Sequence, residues 1–421
     1  MINVSRLKIF LLCLFAISVS VGSFAEREVV RFMHVSTEAS YMSMLIELEI
    51  KFEASHRDID IQVESVLDKN LKAFQHQMLQ SDYHPNILYS WGGGDLASFA
   101  REGLLADVTN KIPAISDRIS KGGMSAFQVD GQQFGYPSSL TQVGFWYNKT
   151  LFLEAGINAE EMSEWEGFLQ GISALKQAGI VPIALGGGDK WPIHFYWSYL
   201  AMRTGGQETF NQVLDGQLSW NNKYYIRASE LLLELADLQP FQENFENYTY
   251  TDASAYFGNH NAAMHLMGDW DIGTQRSLSE SFAGVSDRDL GFMPFPSIRG
   301  GLGSVTDTLG GVNGWVFSTD GATPGALAWI DFLLTEEVQR REAKLDITIP
   351  VVIGSDDGVK NDFKAQIAKN IARSQWHQIF LDQALGTNVG GIINDISFGL
   401  ATQRINAREA IALIQRTWDK Q

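Results

Sequence analysis

Residues 85–107 constrain this chain more than any other stretch, because they spell a strand, a tight turn and a helix in immediate succession. Residues 86–90 are apolar-rich and opened by Pro85, the pattern of a short buried strand. Gly92, Gly93 and Gly94 then allow the backbone to turn sharply and to approach a ligand closely. Asp95 stands where a helix N-cap would stand, and Gly103 where that helix would stop. This order puts Trp91 at the carboxyl end of a strand and beside a helix N-terminus, where open α/β sheets bind ligands. The turn is neither G-x-G-x-x-G nor a P-loop, so it carries no nucleotide signature.

The chain on either side alternates in the same way. Residues 29–35 and 59–66 read as strands. Residues 42–53 and 70–80 read as helices, the second with Leu71, Phe74, Met78 and Leu79 turned inward. That alternation predicts an α/β fold with a parallel sheet wrapped by helices. Residues 162–177 form an amphipathic helix stopped by Gly179, and residues 180–185 a strand. That strand runs into a second glycine-rich loop, residues 186–192, which carries Trp191. Residues 195–203, 224–236, 324–334, 336–345, 363–382 and 407–419 read as helices. Residues 262–267 form a buried strand that ends in Gly268, Asp269 and Trp270. Residues 241–257 read as irregular structure with a short helix, a candidate for the mouth of a cleft.

The N-terminus has the pattern of a cleavable secretory signal: Arg6 and Lys8, an apolar run over residues 9–21, and a small-x-small site ending at Ala25. The run is too short to span a bilayer, and no later stretch qualifies. Cys13, the single cysteine, lies within that run and follows Leu12, which does not fit a lipoprotein site. Cleavage after Ala25 therefore leaves a chain without disulfides or thiolate metal ligands. It also removes two positive charges, so the remaining 396 of 421 residues carry about −19, against −17 for the whole chain. Such an acidic chain is a poor partner for nucleic acid or anionic lipid.

Five stretches in order resemble the family 1 extracellular solute-binding proteins, the sugar receptors of ABC importers. They are residues 89–95 (Tyr-Ser-Trp-Gly-Gly-Gly-Asp), 134–137 (Phe-Gly-Tyr-Pro), 144–149 (Gly-Phe-Trp-Tyr-Asn-Lys), 262–270 (Ala-Ala-Met-His-Leu-Met-Gly-Asp-Trp) and 310–315 (Gly-Gly-Val-Asn-Gly-Trp). The resemblance implies a periplasmic-binding-protein type II fold, two α/β lobes joined by a hinge with a ligand cleft between them. It places one lobe at residues 26–138 plus 296–346 and the other at 139–295 plus 347–421, with three crossings between them.

The expected ligand-binding residues are Glu38, Trp91, Gly92, Asp95, Gln142, Trp191, Asp269, Trp270, Gly311 and Asn313. Trp91 and Trp270 would hold a sugar ring, with Trp191 as a third wall, since aromatic faces suit the apolar faces of sugars. Carboxylates and amides such as Glu38, Asp95, Gln142 and Asn313 would take its hydroxyls. For Asp95 and Asp269 a helix-capping role stands open beside the ligand role, and for Glu38 a solvated place in a first helical turn. Gln142 stands where the family often has Asn. His194 reads as a structural histidine, having no evident partner.

The implied activity is that of a periplasmic receptor, a monomer that binds a mono- or oligosaccharide and delivers it to the permease of an ABC importer. Neither nucleic acid, a cofactor nor a metal is expected. An enzyme is not expected either, because the chain has no G-x-S-x-G, no H-E-x-x-H and no zinc-like histidine cluster. Two alternatives remain at this point: a receptor for a non-sugar solute such as a polyamine, and an exported carbohydrate-active hydrolase using two of the 49 acidic residues.

Overall fold

The computed structural model describes residues 27–36, 39–66, 68–119 and 121–420. The leader with Cys13, and Glu38, lie outside the described residues. Strand β1 (Glu28–His34) lies between β2 (Ile59–Ser65) and β3 (Ile87–Ser90), parallel to both. Helices Ala39–Ser55 and Asp68–Leu79 make the connections. Side chains alternate across this sheet with the period of two that a strand imposes. Val30 and Phe32 enter one apolar core while Met33 enters the opposite one, and Ile87 and Leu88 divide likewise. Helices Ala39–Ser55 and Pro324–Leu333 cover the first face, and helices Asp68–Leu79 and Gly93–Arg101 the second.

Phe74, expected inward, is 55% exposed. Its helix buries Leu71, Gln75 and Leu79, a strict four-residue stripe, and Phe74 lies to one side of it. A small hairpin follows, β4 (Gln128–Val129) and β5 (Gln132–Gln133), joined through Asp130 and Gly131, both at positive φ as a two-residue turn requires.

The motifs at 134–137 and 144–149 meet in one 14-residue strand, β6 (Gly135–Asn148). Its first half pairs antiparallel with β10 (Thr308–Phe317), its second half with β8 (Ala262–Gly268) and β9 (Leu290–Met293). β7 (Val181–Ala184) pairs parallel to β8. Short strands β11 (Ile349–Pro350) and β12 (His377–Ile379) add to β6 and β10. The main path therefore runs β2-β1-β3-β10-β6-β8-β7, with two α/β lobes strung on one continuous sheet. The second lobe has its own aromatic core, where Phe295 stacks on Tyr199 at 4.8 Å and lies 5.7 Å from Phe145.

Three helical expectations change. The helix expected from residue 195 begins at Trp191 and runs as Trp191–Leu214, broken at Gly206 where φ is 68°. The single helix expected over 363–382 is helix Asp362–Arg373, then β12, then a turn of helix at Leu381–Ala384. Helix Gly386–Ala401 was not expected, because its glycines hide it from propensity. Its buried stripe of Val389, Ile393, Ile396 and Leu400 sustains it by packing. At Gly390 a Cβ would stand 2.0 Å from the Asp382 carbonyl, so close approach demands glycine there.

Arg203 braces the region where the chain leaves the second lobe. It is 1% exposed, and its guanidinium donates to the carbonyls of Phe295, Val305 and Asp307 at 3.3, 3.2 and 3.1 Å. It also lies 5.1 Å from the Tyr199 ring, and burial lowers its pKa from the ordinary value. Arg203→Ala orphans two buried acceptors and one part-buried acceptor and is expected to lower the unfolding free energy by about 3 kcal/mol. Urea denaturation of the two proteins measures it, and a change under about 1 kcal/mol contradicts the bracing role.

Candidate functional site

A cavity of about 330 Å³ opens between the lobes, and the carboxyl ends of β1 and β3 reach it with His34, Ser36, Tyr89 and Trp91. β6 and β10 cross its floor. Their pairing shifts register between Asn313 and Gly314, so that Ser138 is the extra residue of a β-bulge. Ser138, Ser139 and Asn313 all line the cavity. A bulge there bends the strand and re-aims its side chains, a common device beside binding sites.

Aromatic rings form the walls. In the second lobe Trp191 lies 5.5 Å from Phe195 and 5.2 Å from Tyr250, while Phe380 lies 5.3 Å from Phe195 and 6.1 Å from Trp270. In the first lobe Tyr89 sits edge-on to both Trp91 and Trp315, at 5.3 and 5.5 Å. The Trp270 ring folds back over Gly268, where a Cβ would stand 2.0 Å from it; that explains the glycine two residues before the tryptophan. Behind this turn, Asp271 accepts from Ser254 and lies 2.8 Å from His265 Nδ1, with both members of the pair 1% exposed.

Polar atoms stand between the rings without partners among the described residues. His34 is 1% exposed and neither ring nitrogen makes a hydrogen bond. Burial pulls its pKa down to about 4, so the imidazole is neutral at physiological pH, with one donor and one acceptor unspent. Asn313 Oδ1 and Gln383 Oε1 are buried and likewise unpaired. Glu342 accepts from Gln339 Nε2 at 2.5 Å and Thr348 Oγ1 at 3.4 Å, and burial pushes its pKa up to about 8. Asp382 Oδ1 lies 3.5 Å from His194 Nε2, and His194 Nδ1 donates to the Trp191 carbonyl at 2.6 Å.

Of the residues singled out in the sequence, Trp91, Trp191, Asp269, Trp270 and Asn313 line the cavity. Gly92, Asp95, Gln142 and Gly311 do not, and Glu38 lies outside the described residues. Asp95 does not cap its helix. The N-cap is Gly92, and Asp95 Oδ1 accepts from Thr387 Oγ1 at 2.7 Å, across to the second lobe's packing. Asp269 does not cap either, since the cap position falls on Trp270; its Oδ1 accepts from Gln142 N–H at 3.2 Å. Gln142 is 2% exposed and points toward Tyr199 rather than the cavity. Gly311 N–H, expected as a free donor, is spent on Thr141 Oγ1 at 2.8 Å.

The glycine turns approach other segments of the protein closely. A Cβ on Gly94 would stand 2.3 Å from Gly386 N, and one on Gly186 would stand 2.7 Å from Tyr250 N. His194, expected to be structural, stands on the cavity wall, as do Tyr41, Glu342 and Asp382. Nothing local marks these four. Glu342 sits in a run of charges that reads as a solvated helix, and only its four-residue spacing from buried Val338 hints otherwise. Among the described residues no group of His, Cys, Asp and Glu is placed to hold a metal, and no helix is long and apolar enough to cross a membrane.

A profile of the family described as bacterial extracellular solute-binding protein matches residues 35–340. An uncharacterised ABC transporter extracellular-binding protein of Pyrococcus horikoshii is 23% identical over 309 residues, 71% of this chain and 66% of that one. The multiple sugar-binding protein of Streptococcus mutans is 24% identical over 262 residues, 60% of this chain and 59% of that one. The matches thus span between 59% and 66% of the length of these curated relatives. A structure solved in work on xylan utilization by the thermophilic bacterium Caldanaerobius polysaccharolyticus aligns with a TM-score of 0.84 at 20% identity, over 92% of this chain and 99% of that one. At that identity the likeness speaks to the fold.

Two outcomes follow from this geometry. Gly94→Ala forces a methyl group against the backbone at Gly386 and is expected to cost about 1–3 kcal/mol of stability, read from denaturation midpoints. An unchanged midpoint contradicts the close contact. Glu342 binds its proton more tightly folded than unfolded, so its contribution is complete below about pH 4.5 and is lost as pH rises through about 8. Glu342→Gln is therefore expected to flatten the fall in stability between about pH 5 and pH 8. Parallel profiles for the two proteins would exclude Glu342 as its source.

Proposed function

The chain belongs to the bacterial extracellular solute-binding protein family, and from that premise we propose that it binds a sugar or oligosaccharide between its lobes and delivers it to the permease of an ABC importer. The observation that carries this reading is the cavity wall itself. Tryptophan faces alternate there with buried polar atoms that have no partner among the described residues. A sugar offers both complements at once, a C–H face for the rings and hydroxyls for the orphaned groups. The Streptococcus mutans relative, a multiple sugar-binding protein by name, supports the same class.

Trp270 and Trp91 face the sugar from opposite lobes, with Trp191 as the third wall, and Asp269 and Asn313 take hydroxyls. Glu38, outside the described residues, is assigned to the same site on the resemblance alone. Gly92, Asp95, Gln142 and Gly311 hold the wall from behind through the contacts given above. The lobes, 26–138 plus 296–346 and 139–295 plus 347–421, close about the strands that cross between them. The separate apolar cores on the two sides of the cavity favour such a division. The leader of residues 1–25 sends the chain to the periplasm, where it acts as a monomer and returns its ligand unchanged.

A thermal-shift screen of the chain from residue 26 against mono- and oligosaccharides, with polyamines and amino acids as controls, tests this. A ligand that binds only the folded state adds about 2.7 kcal/mol of stability at a hundredfold excess over its dissociation constant. Shifts confined to the controls would sink the sugar, and sugar breakdown would sink the receptor. Trp270→Ala removes one stacking face and is expected to raise the dissociation constant at least about tenfold. Calorimetry showing unchanged affinity would remove Trp270 from the site.

A further inference from the structure

Glu342 is a carboxyl of the cavity whose charged form nothing among the described residues compensates. It is 6% exposed, and its hydrogen bonds come from Gln339 and Thr348, both uncharged. Among the described residues no cation pairs with it. Two arginines of its own helix are engaged elsewhere, Arg340 with Glu336 and Asp357, and Arg341 with Glu47. A buried carboxylate without a cation is costly, so the group keeps its proton, and such perturbed groups cluster where a ligand completes them.

The surroundings favour a positive partner. Asp269 and Asp382 line the same cavity as Glu342, and among the described lining residues there is no Lys or Arg. Tyr41, Tyr89 and Trp315 line it on the first-lobe side, and aromatic faces attract cations. Tyr41 lies near both groups of interest. Its ring centroid is 5.5 Å from that of His34, and Glu342 is close enough to raise the Tyr41 pKa further. His34, nine-tenths buried and more, brings an unpaired ring nitrogen to this end of the cavity. Neutral imidazole accepts at one nitrogen, carboxylate at both oxygens, and an ammonium has three N–H groups to give; a hydroxyl has one.

Resting on the sugar-receptor reading, we propose that the Glu342–His34 end of the cavity is a subsite for a protonated amine, so that the ligand is a sugar carrying a free basic amino group. Burial pushes the Glu342 carboxyl up to about 8, so near pH 7 it holds its proton until the ligand arrives. The incoming ammonium then displaces that proton to solvent: the carboxyl O–H breaks, the ammonium keeps its N–H bonds, and an ion pair remains.

The test is titration calorimetry of the chain from residue 26 with three matched probes, as monosaccharides and as short β-linked oligomers: glucosamine, N-acetylglucosamine and glucose. The amine series is expected to bind at least about tenfold more tightly than either neutral series, and Glu342→Gln to bring that ratio to about one. Repeating the titrations near pH 7 in two buffers of different ionisation enthalpy reads the proton. Net proton release is expected with the amine and none with the neutral sugars or with the variant. A melting curve establishes that the variant is folded. Neutral sugars binding as tightly as the amine, or an amine preference that survives in Glu342→Gln, overturns the subsite and leaves the receptor standing. Failure of the amine series to bind overturns the subsite, while the receptor reading stands or falls on the wider sugar screen.

Discussion

The antiparallel pairing of β6 with β10 is the constraint on which the molecule depends. Both strands run through the boundary between lobes, and both change partners along their length. β6 begins beside β10 and β11 and ends beside β8 and β9, so each lobe completes its sheet with half of a strand shared with the other. The ladder could not lose this strand without unsatisfying buried backbone groups in two cores at once. The cavity floor is therefore held by both lobes, and the bulge opposite Asn313 re-aims side chains that line the cavity.

Glycine serves close packing between segments of this fold. The three after Trp91 meet the backbone at Ala126 and at residues 383–386, and those of residues 186–188 meet the segment from Phe245 to Tyr250. Each close approach brings two stretches distant in sequence near enough for their aromatic neighbours, Trp91 or Trp191, to stand on one cavity wall. The glycines therefore act on the site at one remove. Their value lies in the absence of a Cβ, and at Gly92 and Gly93 also in a positive φ.

The polar wall is held at a cost. His34, Asn313 and Gln383 are buried with hydrogen-bonding atoms that have no partner among the described residues, and Glu342 is buried where its charged form has no cation among them. Such groups are destabilising alone and become favourable contacts when a ligand supplies the partner. Discrimination follows from the same physics, because an analogue lacking the matching group leaves the penalty in place. The aromatic rings, by contrast, contribute area and accept many ligands of the right thickness.

Trp91, Trp191 and Trp270 are legible in the amino-acid sequence, each just past the end of a strand and close to glycine, and so is the alternation of strand and helix that builds the first lobe. Local pattern suffices there, since side-chain period and turn chemistry act over a few residues. What the sequence by itself determined is therefore the class of fold and the three tryptophans that line the cavity. Tertiary structure alone decided that two short motifs are one strand, that Gly386–Ala401 is a helix, and that Asp95 accepts a hydrogen bond from Thr387. It also brought His34 and Glu342, 308 positions apart in the sequence, to one end of a cavity. Burial and partnership are set by segments that meet only after folding, and a charged run such as residues 336–344 does not reveal which one of its carboxyls will face inward.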